Sequence, residues 1–337
     1  MLKYKKSSPY IIAEIGINHE GSIPRALRLI LSAKKAGADA VKFQLFQPET
    51  LASKDTVKTE NQKKKIKKET LFQMWKRVSL NEKKIIVLKK FSKKIKIDFF
   101  CSIFDYKSLK IIKKTKINSI KIASSDITDL PLLREVAKTK AKIFLSTGMA
   151  SLKEILVAKN IFKKNKLTIL HCVSLYPCPI NKTNLNRIIK LKKRFKTNIG
   201  YSDHCKGINA SLAAISMGAT TIEKHFTDNK MAKGSDHEIS ADYLDLKKIV
   251  DFAKNFEALK GIGNIEPTKI EKKMKKFFRK SIYYKNDFNK NHILKRSDVL
   301  IRRPMAFYEP KHLRMIINKR LKRRVYFNAP VKKKEII

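Results

Sequence analysis

Apolar residues in the first two-thirds of this chain follow two alternating rhythms. Short β-branched runs lie near residues 10–18, 40–46, 98–104, 119–124, 142–148, 167–174, 198–204 and 220–226. Between them, apolar positions recur every three or four residues, as in "RALRLILSAKKAG", "LKEILVAKNIFKK" and "GINASLAAISMGA", and a last such segment covers 243–260. The short runs read as strands and the longer periodic segments as helices. Eight strand–helix units in about 250 residues predict an α/β fold, a (β/α)8 TIM barrel. An open doubly wound sheet is the alternative, but no GxGxxG follows the first strand, which argues against a dinucleotide-binding version. The connection across residues 48–80 is long and lysine-rich, and its amphipathic piece "LFQMWKRV" suits a lid or a helical excursion.

After Gly261-Ile262-Gly263 the alternation stops. The expected organisation is a catalytic barrel over 1–260, a charged linker over 261–276 ("EPTKIEKKMKK") and a small, mostly β domain over 277–337. At 43% hydrophobic residues the chain can bury a substantial core. Its formal net charge is +48, from 77 Lys and Arg against 29 Asp and Glu. Such an excess raises nucleic-acid binding. The lysines, however, sit on almost every helix-like segment, as in "LKKFSKKIKI" and "IKLKKRF", and read as solvated helix faces rather than a dedicated polyanion site. Their field would still favour a small anionic substrate. The four cysteines (Cys101, Cys172, Cys178, Cys205) form no CxxC pair, which points to a reduced, cytoplasmic setting. "MLKYKKSSPY" has no apolar core for a signal peptide, and no apolar run approaches membrane-spanning length.

A closed barrel turns alternate residues inward, so polar residues at spacing two share its interior or mouth. Glu14 and Asn18, Lys42 and Gln44, Lys121 and Ser124, Ser146 and Gly148, His171 with Ser174 and Tyr176, Ser202 and His204, and Glu223 and His225 all fall toward the carboxyl ends of predicted strands. Barrel enzymes build their sites there, and burying such groups unpaired costs roughly 1–3 kcal/mol each. His204 and His225 lie 21 positions apart (225 − 204) at the ends of neighbouring strands in the same phase. They read as a pair of ligands for Mn, Co or Zn, against the reading of two separately hydrogen-bonded core histidines. Lys42 and Lys121 are expensive to bury without an anion. A phosphate or carboxylate ligand would supply one, with Ser124, Ser146 and Gly148 as further donors. A Schiff-base lysine and a lysine reaching a local carboxylate are the competing readings.

In order along the chain stand "AEIGINHEG", "GADAVKFQ", "KIASSDITDLPLL", "LSTGMAS", "HCVSLYPCP", "GYSDH" and "IEKHFT". On these seven motifs the chain resembles the sialic acid (N-acetylneuraminate) synthase family, which includes legionaminic and pseudaminic acid synthases. The tail "RKSIYYKNDFNKNHILKRSDVLIRRP" is similar to that family's C-terminal SAF, or antifreeze-like, domain. The resemblance implies condensation of phosphoenolpyruvate with N-acetylmannosamine to give N-acetylneuraminate and phosphate. A diacetamido-trideoxy acceptor of the legionaminic or pseudaminic branches is the alternative. It assigns phosphoenolpyruvate to Lys42, Lys121, Ser124, Ser146, Gly148 and Ser202. It assigns Mn2+, or Mg2+ or Co2+, to His204 and His225. Glu14 would assist proton transfer, Lys42 and Lys121 would stand with it in the catalytic set, and Asp126 would supply a further carboxylate. Gln44, Ser174, Tyr176, Asp236 and Arg303 would meet the sugar, Arg303 from the partner subunit of a domain-swapped homodimer. Departures from the family pattern include Ser125-Asp126 where Gly-Glu is common, Ser174 where Asn is common, and Met305-Ala306-Phe307 where glycines are usual. A basic nucleic-acid-binding protein or a pseudoenzyme is the non-enzyme alternative.

Overall fold

Eight strands, β1 (Tyr10–Gly16), β2 (Ala40–Leu45), β3 (Asp98–Ile103), β4 (Ser119–Ile122), β5 (Lys142–Ser146), β6 (Leu167–His171), β7 (Asn198–Asp203) and β8 (Thr221–His225), pair in parallel each with the next. β8 pairs back onto β1 and closes a TIM barrel. The structure, a computed structural model, describes residues 8–66 and 68–337. The chain divides into one unit ending at Gly261 and a second, Ile262–Ile337.

Local chemistry places the outer helices. Ser22, Asn81, Asp105, Asp129, Ser151 and Asp242 each accept a backbone N–H in the first turn of the helix that follows, which supplies a partner that the helix lacks at that end. Each helix turns its apolar stripe onto the strands. The helix Ile23–Ala36 buries Leu29, Ile30 and Ala33, and the helix Tyr243–Lys260 buries Leu246, Ile249, Val250 and Ala253. In the helix Asn186–Phe195, Ile188 and Phe195 are buried while Lys190, Lys192, Lys193 and Arg194 are exposed. Much of the positive charge therefore sits on solvated faces.

Inside the barrel the two ends differ. Toward the amino end Phe100 and Phe144 stack with centroids 5.0 Å apart, and Ile12 is fully buried. Toward the carboxyl end the inward positions are Glu14, Lys42, Ser102, Lys121, Ser146, Ser202, Glu223 and His225, all buried. β1 carries a register shift between Glu14 and Gly16. Gly16 has φ +54°, a conformation that strains a residue with a Cβ, and a Cβ there would stand 3.0 Å from Glu14 Oε1.

The segment between β2 and β3 is helical. It forms Pro48–Leu51, Glu60–Lys65 and Leu71–Val78 before the outer helix Glu82–Lys94. The pairs Thr59/Gln62 and Thr70/Gln73 close two of these helices with reciprocal caps. Ile17, Phe46, Ile66, Leu71, Met74 and Val78 form a small core beneath the segment, with Trp75 packed against it. Among the described residues no helix is long and apolar enough to cross a membrane.

In the second unit the stretch expected as a connector holds a helix, Lys269–Phe278, capped by Thr268 and Glu271. β9 (Ser281–Tyr284) and β10 (Val299–Arg302) pair antiparallel, and isolated bridges such as Phe288 to Val325 and Leu321 to Ile336 extend the β character. Ile282, Tyr284, Leu294, Val299, Ile316, Leu321, Val325 and Val331 form its own core.

Candidate active site

Two lysines and two carboxylates meet inside the carboxyl end of the barrel. Glu14 and Lys42 are register partners on β1 and β2. Lys42 Nζ lies 2.8 Å from Glu14 Oε2 and 3.7 Å from Glu223 Oε2, and it donates to Ser102 Oγ at 2.7 Å. From β4, Lys121 Nζ donates to Glu223 Oε1 at 2.9 Å, and that oxygen also accepts the Ser202 hydroxyl at 2.8 Å. Of the readings open for these lysines, the contact with local carboxylates is present: the chain supplies Glu14 and Glu223, and an ammonium is costly to bury unpaired. Burial pushes the Glu14 carboxyl up, and Lys42 recovers only part of that. Burial acts on Glu223 too, but Lys121 and Lys42 outweigh it and hold that carboxyl well below the usual range.

Several polar atoms here remain unsatisfied. Ser146 Oγ, Glu223 Oε2 and His225 Nδ1 are buried with no hydrogen-bond partner among the described residues. Buried polar atoms are nearly always paired, so this end of the barrel is arranged for something more than its own stability.

β8 ends at His225 and β7 at Asp203, with His204 one residue beyond. The two imidazole centroids are 5.9 Å apart. His204 Nδ1 donates to Val173 O at 2.8 Å, since a carbonyl only accepts, and this leaves Nε2 with the lone pair. His225 Nδ1 lies 3.7 Å from Asp236 Oδ2. Burial, with His225 nearby, lowers His204 to about 4; burial, with Lys42 nearby, lowers His225 to about 3. Both rings are therefore neutral at neutral pH, the form that binds metal. Among the described residues no group of three or more His, Cys, Asp or Glu is arranged to hold a metal. The donor set fits a divalent ion that keeps positions open for water and substrate, and it does not fit a closed structural site.

A cavity of about 430 Å³ opens here, lined by Gln44, Ser124, Ser174, Tyr176, His225 and Asp236 among others. Gln44 Nε2 donates to Glu14 Oε1 at 3.4 Å, and the Tyr176 ring lies 4.2 Å from that of His204. Two larger clefts, about 580 and 600 Å³, include residues at the amino ends of strands, such as Tyr10, Asp98 and Asn198, and lie away from this chemistry. At Gly148 a Cβ would stand 2.3 Å from Ser174 Oγ and 2.9 Å from Ser124 Oγ, so any side chain there would displace both hydroxyls. Its N–H donates to Ser124 Oγ at 2.9 Å.

Some expected residues lie elsewhere. Asp126 is in the short turn Ser124–Asp126 and accepts from Ser125 Oγ at 2.7 Å; Ser125 lines the cavity and Asp126 does not. Burial raises the Asp126 carboxyl to about 6. Asn18 lies beyond β1 and binds Phe226 O and Ser240 Oγ, joining loops. His171 bonds Thr183 O at 2.7 Å and packs on Tyr201, so it faces out of the barrel. Arg303 belongs to the second unit, its guanidinium 5.8 Å from the Phe278 ring. Sequence reasoning missed Ile17, Met74, Trp75 and Phe104 on the cavity wall. It also missed the pairing of Lys224 with Asp203 behind β7 and β8. The signal for Trp75 was present: the chain's one tryptophan stands on the amphipathic piece "LFQMWKRV".

A profile of the NeuB family matches residues 29–264, and the chain belongs to that family, the sialic, legionaminic and pseudaminic acid synthases. The N,N'-diacetyllegionaminic acid synthase of Campylobacter jejuni is 39% identical over 300 residues, 87% of this chain and 90% of that protein. The protein of the same name from Legionella pneumophila is 34% identical over 320 residues, 93% of this chain and 90% of that one. The crystal structure of the N-acetylneuraminic acid synthetase from Leptospira borgpetersenii in complex with citrate superposes with a TM-score of 0.72 at 37% identity, covering 79% of this chain and 90% of that one.

Proposed function

We propose that this NeuB-family chain condenses phosphoenolpyruvate with the open-chain aldehyde of an N-acylated mannosamine-type sugar, such as N-acetylmannosamine, and releases phosphate. The observation that carries this reading is the buried quartet Glu14, Lys42, Lys121 and Glu223 beside two neutral histidines. Phosphoenolpyruvate is a small polyanion. Lys42 and Lys121, already desolvated, would turn from carboxylate to ligand, and Ser124, Ser146 and Ser202 would donate to the same anion. Ser146 Oγ has no partner to give up.

The enol carbon attacks the aldehyde carbon, water adds at the second carbon, and the phosphate C–O bond breaks to leave a 2-keto acid. Glu14, held above the usual carboxylate range by burial, exchanges a proton near neutral pH and is placed to serve the water step. A divalent ion on His204 and His225, Mn2+ ahead of Mg2+ or Co2+, would supply Lewis acidity at the aldehyde oxygen. Gln44, Ser174, Tyr176 and Asp236 would orient the sugar, since all four line the cavity. From the resemblance we also carry the SAF-like second unit, the role of Arg303 and a domain-swapped homodimer. Asp126 stands outside the cavity lining and takes no part in these steps.

The test is phosphate release from phosphoenolpyruvate with N-acetylmannosamine or a diacetamido-trideoxy amino sugar, with and without Mn2+, beside a His204→Ala variant. Metal-dependent release that the variant loses is the expected result. No release with any acceptor, from folded protein, rules the reading out.

A further inference from the structure

The cavity of about 430 Å³ has two unlike walls. One is polar, with Gln44, Ser174, His225 and Asp236. The other is formed by Met74 and Trp75 of the helix Leu71–Val78, Phe104 after β3, and Ile17 after β1. All four belong to, or pack against, the small core under the helical segment, so this wall is fixed rather than loose.

Two polar side chains on that side, Thr59 and Gln62, each spend an acceptor on capping a helix. Thr59 Oγ1 accepts the Gln62 N–H at 3.4 Å, and Gln62 Oε1 accepts the Thr59 N–H at 2.9 Å, together closing the helix Glu60–Lys65. The segment is tied down by Arg77 with Glu20 and Glu69, and by Lys65 with Glu238 at 2.7 Å. A hydroxyl pressed against Met74, Trp75, Phe104 or Ile17 loses its water and gains no partner from them. A methyl group loses nothing there and gains contact.

We propose that Trp75, seated with Met74 and Phe104, is the residue that sets acceptor specificity. It reads a deoxygenated, methyl-bearing end of the sugar, and it makes the enzyme favour a diacetamido-trideoxy amino sugar over N-acetylmannosamine. This inference rests on the condensation reading above. Pockets that discriminate by single apolar groups reach about ten- to two-hundred-fold, and the preference belongs in that range.

Phosphate release with Mn2+ present, compared between the two acceptors, tests it. The wild type is expected to show a kcat/KM at least about tenfold higher for the trideoxy sugar. Trp75→Phe keeps that preference. Trp75→Gln, similar in reach but polar, brings the ratio toward unity by lowering the trideoxy value more than the N-acetylmannosamine value. Trp75 is the chain's one tryptophan, so its emission gives a readout free of turnover. With phosphoenolpyruvate and no metal, the trideoxy sugar shifts that emission and N-acetylmannosamine does so only at higher concentration. Equal kcat/KM for both acceptors in the wild type overturns the inference. So does a preference that survives Trp75→Gln, or an emission that neither sugar moves at saturating concentration. No phosphate from either acceptor, in folded protein, overturns the condensation reading and this inference with it.

Discussion

Two buried charge clusters share β7 and β8 and face opposite ways. Ser202 and Glu223 point into the barrel and meet Lys121 and Lys42. Asp203 and Lys224, the next residue on each strand, point outward beneath the helices. There Lys224 Nζ lies 3.2 Å from Asp203 Oδ2 and donates to Cys205 O at 2.5 Å. Asp203 accepts the Cys205 N–H at 2.8 Å and the Ser211 hydroxyl at 2.6 Å. Neither outer side chain has any exposed surface. Every carboxylate oxygen of the outer cluster has a partner, whereas the inner one leaves Glu223 Oε2 without a hydrogen bond and has Ser146 Oγ and His225 Nδ1 unpaired nearby. Buried charge therefore does not by itself mark a site. A lone unpaired atom does not mark one either, since Ser108 Oγ and Asn165 Oδ1 are unpaired elsewhere; what sets the inner cluster apart is that several unpaired atoms lie inside one end of the barrel beside buried charges.

The largest effect that separates the clusters is catalytic. Glu14→Gln should lower phosphate release by about 10²–10⁴-fold, the usual worth of a positioned acid–base group, while unfolding changes little. Glu14 has a carboxyl raised by burial, so its ionised form is disfavoured in the fold at neutral pH, and the amide removes that cost. Lys42 would still keep Ser102 and the Glu223 carboxylate. A urea midpoint that dropped as far as that of an outer-cluster variant would erase the distinction.

The outer cluster should respond in the opposite sense. Lys224→Met strands the Asp203 carboxylate without a cation and should cost about 3–5 kcal/mol in urea unfolding. The protein that remains folded should keep kcat/KM within a few-fold. Adding Asp203→Asn should return most of the loss, since replacing both partners of a buried pair is far cheaper than breaking it. A double variant as unstable as the single one would show that the pair does more than neutralise itself.

The inner cluster was largely legible in the sequence and the outer one was not. Glu14, Lys42, Lys121 and Glu223 keep strict period-two phase along their strands, and that phase is what the closed barrel turns inward. The same 21-residue offset that joins His204 to His225 also joins Asp203 to Lys224 (224 − 203) and Ser202 to Glu223 (223 − 202). Only the inward members were read, because a lysine beside an inward glutamate resembles any solvated residue until helices are known to cover it. His171 failed for a related reason. Thr168 and Leu170 pair with inward Phe144 and Ser146, so His171 is one residue out of phase, and a shift of one flips a side chain to the other face. The wall formed by Met74, Trp75 and Phe104 was hidden because it depends on where a segment between strands folds back, which no local period encodes.

The smallest expected effect gives the cleanest contrast, since it makes one chemical change on each face. Ser211 and Ser202 each donate a hydroxyl to a buried carboxylate, at 2.6 and 2.8 Å. A hydrogen bond to a charged group is worth about 1.5–3 kcal/mol, and Ser211→Ala should show that loss in urea unfolding with phosphoenolpyruvate kinetics unchanged. Ser202→Ala should show less, because Glu223 Oε1 keeps the Lys121 ammonium at 2.9 Å. Its loss should appear instead in KM for phosphoenolpyruvate, raised about tenfold for some 1.4 kcal/mol of lost binding, because Ser202 is read as a donor to that anion. Equal unfolding losses with unaltered KM in both variants would mean that the two faces of β7 and β8 do the same structural work, and that the inner serine has no part in holding substrate.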